Sequence, residues 1–123
     1  MIAEEKVNLS AMTQNSEDRR EALLAELDRA LRILREQYLP LKIYLYGSLA
    51  HGTVSEWSDL DLVIVKDTTK RFLDRTAEVL GLVMPRVGMD IAVYTPIEWE
   101  QLLRERPFIR DEVVGRGNLL YAA

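Results

Sequence analysis

Residues 46 to 65, YGSLAHGTVSEWSDLDLVIV, set a glycine and a serine before a polar loop, then two aspartates in alternation ahead of an unbroken apolar run. A short apolar run bounded by turn residues reads as a strand buried on both faces, so residues 60 to 65 are expected inside a covered sheet. A carboxylate buried at the mouth of such a strand is unfavourable by several kcal/mol unless positive charge or hydrogen bonds offset it. Asp59 and Asp61 therefore require a compensating group.

Side chains of a strand alternate between its faces, so Asp59 and Asp61 point one way and Ser58, Leu60 and Leu62 the other. Two ionised carboxylates so placed repel, and a divalent cation gripped by both removes the conflict. The chain has no Cys and a single His, His51. That excludes disulfides, thiolate zinc sites, Cys nucleophiles and histidine-rich metal sites, and leaves oxygen ligands suited to Mg2+ or Mn2+. Gly47-Ser48 supplies a turn in which backbone N–H groups and a hydroxyl can approach an anion. Phosphate at one end and carboxylates at the other describe a nucleoside triphosphate site, suited to two-metal phosphoryl or nucleotidyl transfer. Asp90, in the run MDIAVY, reaches the same cleft if its strand lies beside the first, as a metal ligand, as the base for an incoming hydroxyl, or as both.

Around this segment, strand patterns alternate with helical ones, which predicts an α/β or α+β layer. Residues 1 to 15 lack a sustained period and read as a flexible arm, and residues 16 to 123 as the single folded domain. Ser16 is placed to cap a helix whose apolar stripe is Leu24, Leu27, Leu31, Leu34 and Tyr38, with Arg19, Glu26, Arg29 and Glu36 on a solvated face and Pro40 preventing continuation. Residues 41 to 46 read as a strand ended by Gly47, 68 to 80 as a helix ended by Gly81, and 88 to 94 as a third strand. Thr95-Pro96-Ile97-Glu98 is a capping box with proline at the first helical position, predicting a helix to about Glu105. A short helix over 108 to 114 and an edge strand over 118 to 121 complete the expected order.

The net charge of −4 does not match nucleic acid as a whole-chain partner, so no direct nucleic-acid binding is expected. No run approaches the length of a membrane span, and the N-terminal residues lack a basic-then-apolar leader, so a cytoplasmic protein is expected. Neither G-x-x-x-x-G-K-[ST] nor G-x-G-x-x-G is present, which excludes the P-loop and dinucleotide motifs. An aspartyl phosphatase would carry its aspartates after the apolar run, not before it. Ser48 and His51 are spaced as a nucleophile and base would be on a helix, but no third orienting group accompanies them. Trp57 is either a base-stacking or a packing residue, and Trp99 reads as packing. Arg104, Arg106 and Arg110 near Phe108 suit a partner or substrate surface, or equally favourable charge at a helix end.

Gly47-Ser48, ten residues, then Asp59-Leu60-Asp61, with Asp90 as a third carboxylate, resembles the nucleotidyltransferase superfamily that includes polymerase beta. The fuller string GSLAHGTVSEWSDLDLVIV is similar to the minimal nucleotidyltransferases, or MNT proteins, over roughly residues 20 to 121. The resemblance implies a small mixed sheet with helices packed mainly on one face. It also implies transfer of AMP from ATP to a hydroxyl, with Asp59, Asp61 and Asp90 as Mg2+ ligands, Asp90 also as base, and Gly47 and Ser48 holding the nucleotide. Many MNT proteins are antitoxins that AMPylate a tyrosine of a HEPN-domain toxin. This chain contains no HEPN segment, so the implied partner is a separate chain in a hetero-oligomer. Many relatives carry arginine where His51 stands here. Two further readings are a nucleotide-binding module that neutralises its partner by masking, and a nucleotidyltransferase for a small molecule such as an aminoglycoside.

Overall fold

The structure is a computed structural model and describes residues 9 to 123, with side chains from Gln14 onward. Helix α1, Leu9–Ile33, runs into a single π turn, Leu34–Tyr38. Leu39, at φ 56°, closes the turn by donating its N–H to Leu34 O at 3.0 Å, and Pro40 follows. Of the arm expected over residues 1 to 15, residues 1 to 8 lie outside the described residues and 9 to 15 are helical. Ser16 is thus an interior residue of α1 and not its cap. The buried stripe is Leu23, Leu27, Ala30, Leu34 and Tyr38, while Leu24 is 42% exposed. Both stripes satisfy the i, i+3, i+4 spacing and lie about 100° apart or less around the helix. Contact with the sheet selects the one through Leu23.

Four strands follow, β1 Lys42–Tyr46, β2 Leu60–Val65, β3 Met89–Tyr94 and β4 Asn118–Ala122, in the order β3-β2-β1-β4. The pairings of β1 with β2 and with β4 are antiparallel; β2 with β3 is parallel, joined through helix α3, Phe72–Val83. The sheet is therefore mixed, with β1 and β2 as its interior strands, β2 as its apolar run predicts. On one face Ile43, Leu45, Leu60, Leu62, Ile64 and Val93 form the main core with α1 and α3. On the other, Tyr44, Val63 and Val65 pack with Trp99 of helix α4, Pro96–Glu105, and with Ile109 and Val113 of a π-helical segment, Ile109–Gly115. No described helix is long and apolar enough to cross a membrane.

The capping box of α4 forms as the sequence predicts, with Thr95 Oγ1 accepting from Glu98 N at 3.3 Å and Glu98 Oε1 from Thr95 N at 2.8 Å. Glu98 also receives the buried guanidinium of Arg75 at 2.6 Å, which ties α4 to α3. Helix α3 starts four residues later than expected and passes through Gly81, ending where Met84 turns left-handed at φ 48°. Gly81 is a weak stop because nothing crowds it and the next turn still buries Val83.

Glu26 and Arg29 are not on a solvated face. Glu26 is 4% exposed, and its carboxylate takes Arg29 Nε at 2.7 Å and Arg86 N at 2.5 Å. Arg29 Nη2 in turn donates to Val83 O at 2.9 Å and Met84 O at 3.2 Å. The pair satisfies the last carbonyls of α3 and holds the turn that leads into β3. The Arg29 hydrogen bond is the largest cause holding the Glu26 carboxyl below its usual range. Glu26→Ala leaves the Arg86 N–H and the Arg29 charge without this partner, and is expected to destabilise the fold by about 2–4 kcal/mol in urea unfolding at pH 7.

Candidate active site

Parallel register sets Asp61 opposite Asp90, and antiparallel register sets Tyr46 opposite Asp61. The three side chains form a row across three strands on the face that carries Val63 and Trp99, at the end of the sheet where β1 leaves and β2 enters. Asp61, partly buried, is pushed up to about 6, first by burial and then by the charge and hydrogen bonding of Asp90 and the charge of Asp59. Burial, then Asp61 and Asp90, likewise raise the Tyr46 hydroxyl. The row concentrates negative charge, and no cationic side chain among the described residues contributes to either shift.

Two glycines make room for it. Gly47 sits at φ 78° and opens α2, the short helix Ser48–His51. A Cβ at Gly47 would stand inside van der Waals contact with Asp61 Oδ2, and one at Gly88 would overlap the Asp59 carboxyl. A side chain at either position would push the facing carboxyl aside, and Gly47 also needs glycine for its positive φ. The turn sets the Gly47 backbone against Asp61, and Ser48 follows it as the first residue of α2, where the first N–H groups have no intrahelical acceptor.

Asp59 stands just before β2, at the rim, with its side chain 49% exposed. Arg19 of α1 donates from Nη2 to Asp59 Oδ1 at 3.2 Å and from Nε to Ser58 O at 2.7 Å. Sequence reading put Arg19 on a solvated face; no spacing rule links residues 40 apart in sequence, and only the packing of α1 reveals the contact. A second bond, Asn15 Nδ2 to Glu56 Oε2 at 3.1 Å, joins the same helix to the same loop. Among the described residues no group of three or more His, Asp or Glu side chains is close enough to ligate one ion. Asp61 and Asp90 are the pair brought together, and their donor set fits a hard divalent cation, because their mutual repulsion is the deficit that such an ion removes.

The other candidates fall outside this row. His51 Nε2 lies 3.6 Å from Glu112 Oε2, with no hydrogen-bond partner, so Ser48 and His51 are not joined as nucleophile and base. Trp57 is 81% exposed in the loop, whereas Trp99 is buried between Tyr44 and Tyr94, with ring centroids at 5.3 and 6.0 Å. Phe108, between Arg106 and Arg110, packs edge-on against Tyr46 at 6.1 Å, which sets the arginine-bearing segment beside the carboxylate row.

A family model described as "Nucleotidyltransferase domain" matches residues 27–117. No curated protein matches the chain. A crystal structure from Sulfolobus solfataricus, described as a "putative nucleotidyltransferase", shares 18% identity over 88% of this chain and 87% of its own, with a TM-score of 0.63. At that identity the likeness is one of fold. A toxin-antitoxin structure with AMP-PNP overlaps less, at 20% identity over 78% of this chain and 73% of its own, with a TM-score of 0.47.

The raised Asp61 pKa carries a sign that can be measured. The folded protein holds this proton more tightly than the unfolded chain, so the Asp61 contribution to stability is lost as pH rises from about 4 through about 6. In metal-free protein, Asp61→Asn is expected to melt several degrees above the parent at pH 7.5 and to lose this advantage near pH 4, as followed by thermal denaturation with chelator present.

Proposed function

The chain belongs to the nucleotidyltransferase domain family, and we propose that it transfers AMP from ATP to a hydroxyl of a separate partner protein. The observation that carries this reading is the adjacency of Asp61 and Asp90 with the Gly47-Ser48 turn closed against Asp61. Gly47 and Ser48 hold the triphosphate through backbone N–H groups and the Ser48 hydroxyl. Asp61 and Asp90, with Asp59 at the rim, would hold Mg2+, which supplies positive charge to the phosphates and the leaving oxygen. Asp90 also takes the proton of the incoming hydroxyl as its oxygen bonds to the α-phosphorus. The bond from that phosphorus to the bridging oxygen breaks, and pyrophosphate departs with the electron pair.

The motif resemblance supports a HEPN-domain toxin as the partner, a tyrosine as its acceptor, and the cytoplasm as the compartment of the pair. The juxtaposition of Asp61 and Asp90 beside the Gly47 turn supports a metal-dependent enzyme over a purely masking module, because a masking surface has no need of paired carboxylates.

Transfer of label from α-labelled ATP to the co-purified partner tests the proposal. Asp59→Ala combined with Asp61→Ala is expected to stay folded and to lower transfer on the order of a hundredfold or more. Undiminished transfer refutes the assignment. Gly88→Ala, which adds a methyl group where the Asp59 carboxyl lies, is expected to retain the fold by circular dichroism while transfer drops at least about tenfold.

A further inference from the structure

Arg19 donates twice to the two residues that lead into β2, through Nε to the Ser58 carbonyl at 2.7 Å and through Nη2 to Asp59 Oδ1 at 3.2 Å. We infer that Arg19 is a positioning residue for the metal-binding carboxylates, acting through Asp59. The inference rests on the nucleotidyltransferase reading of the same site and adds to it a residue from outside the motif.

Asp59 lies outside the hydrogen-bonded ladder, since β2 begins at Leu60. Unlike Asp61, it is not set by strand pairing. Its position depends on three contacts: Leu60 N to Gly88 O at 3.0 Å, the Gly88 backbone beneath its carboxyl, and Arg19. The first two fix the backbone and block one side. Arg19 is the contact that orients the carboxyl group, and it does so through one oxygen. Asp59 Oδ2 has no hydrogen bond among the described residues and remains available to a cation. A guanidinium suits this task because its planar fork spans a carbonyl and a carboxylate together, which an ammonium does less well. Arg19 is itself only one-quarter exposed, so the side chain loses little freedom on making the contact. Hydrogen bonds of this outer kind typically strengthen metal binding roughly tenfold to a hundredfold.

The experiment titrates Mn2+ alone into the folded chain by calorimetry, for the parent, Arg19→Ala, Arg19→Lys and Asp61→Asn. Arg19→Ala is expected to weaken the Mn2+ Kd roughly tenfold or more, and Arg19→Lys by less, since lysine recovers one of the two bonds. In transfer assays Arg19→Ala should raise the metal concentration needed for half-maximal rate while kcat at saturating metal stays near that of the parent. A general loss of packing would not be repaired by added metal. Should Arg19→Ala not fold, Arg19→Gln is measured against the same criterion. An unchanged or tighter Mn2+ Kd in a folded Arg19 variant overturns the inference. If that occurs while Asp61→Asn abolishes binding, the site reading stands and only the role of Arg19 fails. Absence of Mn2+ binding by the parent overturns both.

Discussion

The parallel pairing of β2 with β3 is the constraint on which the rest of the structure depends. It puts Asp61 abreast of Asp90, two carboxylates that repel in the absence of a cation, and holds them there through a ladder that neither side chain can relax. Parallel pairing requires a crossover, and α3 provides it, covering the main core as it returns. The Glu26–Arg29 pair then holds the end of α3, and Arg75–Glu98 joins it to α4. The apolar layers and these partly buried ion pairs lie behind the row, whose neighbouring carboxylates repel one another when ionised.

Much of this was legible in the chain. The run from Leu60 to Val65 and the Thr95 capping box are local patterns, and the structure reproduces both because neighbouring residues largely determine them; Gly47 meets Asp61 through the antiparallel pairing of β1 with β2. Asp90 beside Asp61 was legible only conditionally, since its place depends on which strands adjoin. The failures share a physical cause. The helical period leaves open which of two adjacent stripes meets the sheet, so Leu23 replaced Leu24. Charged residues on a long helix default to solvent, so the burial of Glu26, the grip of Arg29 on α3 and the reach of Arg19 to Asp59 were hidden until α1 had something to pack against. Gly81 is a good terminator in isolation, but the burial of Val83 carried α3 beyond it; Ser16, a good cap in isolation, lies inside α1, and no burial explains it, since Gln14 and Asn15 are exposed.

Helix α1 consequently has two functions in one span. Its Leu23, Leu27, Ala30 and Leu34 side chains cover the sheet, and its polar residues hold the loop before β2 at one point and the turn before β3 at another. Those two segments carry Asp59 and Gly88, which touch each other across the site. A helix that packs a core also sets the distance between the two backbone segments flanking the carboxylates.

β1 is central to the sheet, yet its two neighbours arrive at very different times. β2 follows it after α2 and a loop, whereas β4 reaches it only at Asn118 to Ala122, where the Ala123 N–H also bonds Leu41 O at 2.8 Å. A sheet of β1 and β2 alone has two open edges; β3 covers the β2 edge first, while the β1 edge, Tyr44 and Leu45 included, stays open until Asn118 to Ala122 have been made. Unpaired edges of apolar strands invite pairing with other chains. A nascent chain stalled or cleaved before Asn118 should thus recruit chaperones or aggregate, even though every residue of the carboxylate row has already been made.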